Sequence, residues 1–194
     1  MKDIPRFALI LTIVTVIASG SLAWINKITH PVISAQEQKT FNEGLRAVLP
    51  GSGQGIIEPV MENDNILYYM GFADPEKTNL IGYAFQAPGQ GYSSLIQTLV
   101  GMDTSGTILS IKVLSQKETP GLGTKCEEIR TGETTPWWQD QFQGQLTMDL
   151  KVDKDGGDIQ SITGATITSR AITNAIAHSA SSVLSQIQKS NQDS

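Results

Sequence analysis

The sequence predicts an α+β domain, a mostly antiparallel sheet with packed helices, behind a single N-terminal transmembrane helix. Three observations carry that prediction. Residues 7–25 form an apolar run with no charge in it, residues 65–114 hold four short β-rich segments, and apolar positions after Ser169 recur in steps of three and four.

The apolar run reads FALILTIVTVIASGSLAWI. As a helix it rises about 28 Å, close to the thickness of a bilayer core. A core helix of a soluble protein is a poor fit to a run so uniformly apolar. Lys2 and Arg6 precede the run, so the positive-inside tendency puts the N-terminus in the cytoplasm and everything after Ile25 outside it. Trp24 suits the interface at the exit. A cleaved signal peptide competes with the anchor, because Ala18, Ser19, Gly20, Ser21 and Ala23 are small. The anchor is preferred, since the run is longer than a usual signal core. The location expected is the cell inner membrane, single-pass, with residues beyond the anchor periplasmic or extracytoplasmic.

Residues 1–27 are therefore read as cytoplasmic N-terminus and anchor, and 28–55 as a juxtamembrane helix and linker. Pro31 is expected to break the chain just after the membrane. Phe41, Leu45, Val48 and Leu49 then share one side of a helix over 34–49, which Pro50 and Gly51 stop. PGSGQG at 50–55 is a turn or linker. Residues 56–189 form the domain, and 190–194 a flexible polar tail.

Within the domain, NILYYMGF, NLIGYAFQ, SLIQTLVGM and TILSIKVL are strands bounded by Gly, Pro or Asp. Asp103-Thr104-Ser105-Gly106 should turn a tight hairpin between the last two. In the second arm, Ile108, Ser110, Lys112 and Leu114 alternate with Leu109, Ile111 and Val113, giving one mostly apolar face expected to be core. QLTMDL at 145–150 reads as a further strand. Ile172, Ile176, Ala180, Val183 and Ile187 mark an amphipathic helix over about 169–188, with Thr168 or Ser169 as N-cap.

Composition excludes several functions. A net charge of −5 gives no basic face for nucleic acid. The single cysteine, Cys126, rules out an internal disulfide or a cysteine-built metal site within this chain; a partly buried small apolar residue is its preferred reading, and a reactive thiol the alternative. His30 and His178 lack ligand-like neighbours. No nucleophile triad, general base or metal set is evident, so independent catalysis is not expected.

The most informative stretch is Ser161-Ile162-Thr163-Gly164-Ala165-Thr166-Ile167-Thr168-Ser169. It joins an expected strand to the last helix, and five of its nine residues carry a hydroxyl. A helix start offers free N–H groups and the positive end of the dipole, where a phosphate is stabilised. Gly164 and Ala165 keep the approach uncluttered. A Ser/Thr-rich turn that merely caps a helix has the same composition, and spacing alone favours that plainer reading.

Thr163-Gly164-Ala165-Thr166 followed by Ile167-Thr168-Ser169 resembles the flavinylation motif of FMN-binding domains. Such domains occur in the G subunit of the Rnf electron-transport complexes and in the C subunit of the sodium-pumping quinone reductase. Gly89-Gln90-Gly91-Tyr92-Ser93-Ser94 and the more specific Lys117-Glu118-Thr119-Pro120-Gly121-Leu122-Gly123 look like further family segments, in family order and behind an anchor. The resemblance implies FMN joined by its phosphate to Thr166 through a phosphodiester made by a separate flavin transferase. Thr163, Gly164, Ala165, Thr168 and Ser169 would shape that site. Separately, the turn around Gly121 and Gly123 lets an exposed Leu122 lie on a ring face, with Glu118, Thr119 and Lys125 at the ring edge; a plain structural loop suits each of these residues equally well. Tyr92 stacks on a ring or packs in the core, with core preferred. One of Trp137 and Trp138 is expected to pack inside and the other to face a partner.

The resemblance further implies an electron-carrying subunit, partnered by other subunits of a membrane redox complex that couples electron flow between ferredoxin and NAD to ion transport. The short chain favours the Rnf relative over the quinone reductase one. The family usually has an acidic residue three positions before the motif's first hydroxyl. Here that residue is Gln160, and the nearest upstream carboxylate is Asp158. The competing readings are an FMN-carrying membrane sensor and a non-redox assembly protein with unmodified Thr166.

Overall fold

A computed structural model of the chain describes residues 4–62 and 65–192. It divides into two compact units, Met1–Phe41 and Asn42–Ser194.

The first unit is helical. Helix α1 runs Ile4–Val48 with Pro31 inside it, so the expected break is absent. A proline removes one ladder bond and costs about 3 kcal/mol, but bonds on either side persist, and long apolar helices tolerate it. The apolar part is long and apolar enough to cross a membrane, and none of it is buried within the protein. Three of its hydroxyls are satisfied locally: Thr12, Thr15 and Ser21 donate to the carbonyls of Ala8, Leu11 and Ile17. Such back-bonding lets polar side chains sit in an apolar helix without an unmet donor.

The second unit begins with the last turns of α1. Its sheet is a five-stranded antiparallel meander in the order β1 (Ile57–Glu62), β2 (Asn65–Phe72), β3 (Leu80–Gln90), β4 (Leu95–Met102) and β5 (Ile108–Ser115). The expected strands are β2 to β5. β1 was not expected, because Pro59 and two glutamates interrupt its apolar pattern. It lies at the sheet edge, where a missing N–H and charged side chains are tolerated.

The β4–β5 turn is set by Asp103. Its carboxylate accepts the Ser105 and Thr107 amides at 2.8 and 2.9 Å, and Gly106 takes φ +85°. A register shift beside this turn puts Ile108 into the core with Ile111 and Val113 and leaves Leu109 half-buried, so the alternation expected for β5 fails at its first residues.

Each sheet face carries a helix. Helix α3 (Thr166–Gln192) buries Ile172, Ile176, Ala180 and Val183 in a core with Phe85, Ile96, Val100 and Ile111. At Gly89 a Cβ would meet the Ala171 carbonyl oxygen at 2.6 Å, so helix and sheet touch backbone to backbone there. On the opposite face Leu45, Val48 and Leu49 are buried, and the Leu49 and Val48 atoms approach Gly71 and Gly101. α3 passes through Lys189 to Gln192, so residues 190–192 continue the helix; the last two residues of the expected tail lie outside the described residues.

Between β5 and α3 the chain is irregular. QLTMDL is not a strand: Leu146 makes one isolated bridge to Thr107, and residues 147–149 form a 3-10 turn. The alternation of Leu146, Met148 and Leu150 misleads, because Leu146 and Met148 are exposed while Thr147 is buried along with Leu150 and bonds through its hydroxyl to the Gly106 carbonyl at 3.0 Å. Nor does a strand precede the motif; Val152 and Ile159 form a single parallel bridge. Trp138 is fully buried against Phe142, and Trp137, in the same short helix α2 (Trp137–Asp140), is half-buried under the Arg130 guanidinium at 3.8 Å. Cys126 is buried, and burial, reinforced by Glu127 and Glu118, pushes its thiol up to about 12, so it is protonated at neutral pH.

A Gly101→Ala substitution would drive its Cβ into the Val48 carbonyl oxygen. We expect it to destabilise the second unit by about 1–3 kcal/mol. A lowered urea midpoint of the detergent-solubilised chain would show this, and an unchanged midpoint would contradict it.

Candidate cofactor cleft

Three segments distant in sequence converge on one open cleft of about 580 Å³. That volume lies within the usual range for small-molecule sites. The turn after β3 contributes Tyr92. The segment after β5 contributes Glu118, Thr119, Leu122 and Gly123. The start of α3 contributes Gly164, Ala165, Thr166, Ile167 and Thr168.

Eight residues singled out from the sequence therefore share one wall system: Tyr92, Glu118, Thr119, Leu122, Gly164, Ala165, Thr166 and Thr168. Thr163, Ser169 and Lys125 do not line it. Thr163 is exposed, Ser169 is fully buried beneath the helix start, and Lys125 stands in the 3-10 turn Gly123–Glu127. Gly123 and Ile167 line the cleft without having been expected. Ile167 follows the motif threonine directly and is half exposed, so its helical position carried the signal. Tyr92 is a correction: it is 69% exposed, not packed in the core. With Leu122 and Ile167 it gives the cleft an exposed apolar rim.

The helix begins earlier than expected. α3 starts at Thr166, so neither Thr168 nor Ser169 is its N-cap. Gly164 takes φ +78°, which turns the chain into the helix, and the first ladder bond runs from the Ser169 amide to the Ala165 carbonyl. The amides of Thr166, Ile167 and Thr168 precede that bond and point outward from the helix end, as first-turn amides do. They meet the positive end of the dipole of a 27-residue helix.

Successive residues pin this helix end. The Thr168 hydroxyl donates to Glu118 Oε2 at 2.6 Å. The Ser169 hydroxyl donates to the Ala165 carbonyl and accepts the Ile162 amide, at 3.1 and 2.9 Å. Arg170 forms a bidentate pair with Asp155, at 2.6 and 2.7 Å.

Glu118 is buried and takes five hydrogen bonds. Besides Thr168, the amides of Tyr92, Ser93 and Ser94 and the Ser94 hydroxyl donate to it. Burial opposes its ionisation. The Thr168 hydroxyl and the three amides outweigh that and hold its carboxyl below the ordinary value. Its oxygens are thus spent inside the protein, which differs from the ring-edge contact expected of it.

At the expected acidic position, Gln160 works through its backbone: its amide donates to Gln141 and its carbonyl accepts from Trp138 Nε1 at 2.8 Å. Asp158 is exposed. The carboxylate that reaches the motif is Asp153, which accepts both the hydroxyl and the amide of Ser161 and the Lys154 amide. Ser161 chiefly, with those amides, brings Asp153 down to about 2. Sequence spacing did not reveal it, because a 3-10 turn and the Val152–Ile159 bridge fold it back over eight residues.

The hydroxyls of the motif stretch are accordingly unequal. Those of Ser161, Thr168 and Ser169 are engaged by other groups. Among the described residues, neither Thr163 nor Thr166 donates its hydroxyl, and of these two only Thr166 lines the cleft. An open apolar-rimmed cleft with outward helix-start amides and an uncommitted hydroxyl fits a flat aromatic cofactor carrying a phosphate.

This combination defines a cofactor-binding domain behind an apolar N-terminal helix, and comparison with known proteins gives the class. The FMN-binding domain family matches residues 91–181, and the RnfG N-terminal region matches residues 1–48. The chain is 30% identical to the G subunit of the Na(+)-translocating ferredoxin:NAD(+) oxidoreductase complex of Acetobacterium woodii, covering 90% of this chain and 89% of that one. It is 32% identical to the G subunit of the ion-translocating oxidoreductase complex of Vibrio vulnificus (91% and 87% covered) and 33% identical to that of Escherichia coli (91% and 89% covered). The crystal structure of Shewanella oneidensis NqrC overlaps 63% of this chain and 60% of its own with a TM-score of 0.46 and 23% identity. The chain belongs to the family formed by the G subunits of ion-translocating oxidoreductase complexes.

Asp153 has a depressed carboxyl pKa, so its contribution to stability is complete above the ordinary value of 3.8 and is lost as pH falls toward about 2. Ser161→Ala should raise the Asp153 pKa toward 3.8. It should also shift the onset of acid unfolding to higher pH. Carboxyl NMR titration reads the first and circular dichroism against pH the second; an unmoved Asp153 titration would sink the assignment.

Proposed function

We propose that this chain is the FMN-carrying, electron-transferring subunit of an Rnf-type membrane complex, with the flavin phosphate esterified to Thr166. The observation that carries the reading is the uncommitted Thr166 hydroxyl in a cleft at a helix N-terminus, within a domain matched to the FMN-binding family. Relatives covering nine-tenths of the chain are subunits of ion-translocating oxidoreductases, which supports a place among other redox subunits.

In the attachment step a flavin transferase supplies an activated FMN phosphate ester. The Thr166 O–H bond breaks, an Oγ–P bond forms, and the group previously esterified to that phosphate departs. Thr166 is thus a substrate, not a catalyst. The phosphodiester keeps a negative charge, and the amides of Thr166, Ile167 and Thr168 are placed to hydrogen-bond it. Leu122, Tyr92 and Ile167 offer apolar surface to the ring system, and Thr119 a polar contact at its edge. FMN, once bound, accepts and releases one or two electrons, and a covalent tether holds it near its redox partners at high effective concentration.

The apolar helix fits a single-pass anchor. The basic residues before it, Lys2 and Arg6, support a cytoplasmic N-terminus and a domain outside the cytoplasm. A tether is useful there, because free flavin would be lost from such a compartment.

Intact mass decides the central point. Chain produced with its transferase should gain the mass of one FMN less one water. Thr166→Val should lose the adduct while keeping its fold, and Thr166→Ser should keep it. Full adduct in Thr166→Val would move the attachment elsewhere.

A further inference from the structure

Glu118 stands in the cleft wall, yet both its oxygens are turned inward. Oε1 accepts the amides of Ser93 and Ser94, each at 2.9 Å, and the Ser94 hydroxyl at 3.2 Å. Oε2 accepts the Tyr92 amide at 3.1 Å and the Thr168 hydroxyl at 2.6 Å. One carboxylate therefore joins the turn after β3, the segment after β5 and the first turn of α3, which are the three walls of the cleft. Two glycines make room for it. A Cβ at Gly91 would meet Glu118 Oε1 at 2.6 Å, and a Cβ at Gly123 would meet Glu118 Cβ at 2.6 Å and Thr168 Oγ1 at 2.9 Å.

Only an ionised carboxylate suits five donors, since both its oxygens accept and neither donates. A carboxamide would turn its NH₂ toward amide N–H groups, leaving buried donors unmet. The Thr168 hydroxyl, two residues from Thr166, is buried and committed to this carboxylate.

We propose that Glu118 is a positioning residue for both flavin attachment and electron transfer. It clasps the three walls so that Thr166 presents its hydroxyl, withholds Thr168 as a competing acceptor, and leaves a fixed negative charge beside the bound ring system. A flavin gains electron density on reduction, so that charge opposes reduction and lowers the midpoint potential. The proposal rests on the reading of Thr166 as the attachment point, but the clasp itself is testable without flavin.

The full-length chain is compared with Glu118→Gln and Glu118→Asp. In flavin-free protein, hydrogen exchange at the amides of residues 92–94 should speed up by about ten-fold or more in Glu118→Gln, as expected for loss of hydrogen bonds to a charged acceptor. With purified transferase, the initial rate of mass gain should fall by about ten-fold or more, and Glu118→Asp should recover part of it. The Glu118→Gln chains that do load should titrate at a higher midpoint potential than wild type. Wild-type attachment rate in Glu118→Gln, or a loaded variant with an unchanged or lower potential, overturns the proposal. If Glu118→Gln does not fold, Thr168→Val removes one arm of the clasp and must slow attachment; an unchanged rate there overturns it equally. Failure of the Thr166 reading shows separately, as flavin persisting on Thr166→Val with exchange at residues 92–94 as in wild type.

Discussion

A buried carboxylate with five donors holds the site together. Glu118 lies 26 residues from Tyr92 and 50 from Thr168, so its hydrogen bonds close long loops and tie together segments far apart in sequence. Such a group is costly to bury unless every lone pair is used. Here the donors are three backbone amides and the Ser94 hydroxyl of a tight turn and a helix hydroxyl, and they hold the carboxyl below its ordinary value. The geometry of the cleft, the uneven availability of its hydroxyls and the orientation of the helix start all follow from this contact and from the Ser169 and Arg170 tethers beside it.

The sheet supplies the rigid base for these contacts. A sequential antiparallel meander needs only short connections, and α3 then packs across β3 with backbone contact at Gly89 and Ala171. That close approach carries the helix start toward the turn after β3. The irregular stretch from residue 116 to 165 is long for a connection inside a compact domain, and such stretches are commonly functional. It provides a wall of the cleft, buries Trp138 and Phe142 in the core, and brings Asp153 back onto Ser161. Apolar burial fixes its course, while polar contacts orient the motif at its end.

The hydroxyls around the helix start differ in availability. Local sequence makes them similar. The fold engages Ser161, Thr168 and Ser169 in separate hydrogen bonds, leaves Thr163 outside the cleft, and leaves Thr166 inside it.

Much of the fold was legible in local pattern. The apolar run, the segments that became β2 to β5, the Asp103 turn and the apolar stripe of α3 depend on side-chain periodicity and turn chemistry, which neighbouring residues specify. The motif and its two companion segments were legible as a family signature, in order along the chain. Other features were decided by tertiary contacts. β1 exists because an edge position tolerates Pro59, and residues 147–149 turn because Thr147 reaches Gly106. The exposure of Tyr92, the inward aim of Glu118 and the pairing of Asp153 with Ser161 lay beyond sequence reading for the same reason. Each depends on which distant donor or neighbour occupies the remaining space, and that is settled only when the sheet, the long connection and α3 pack together.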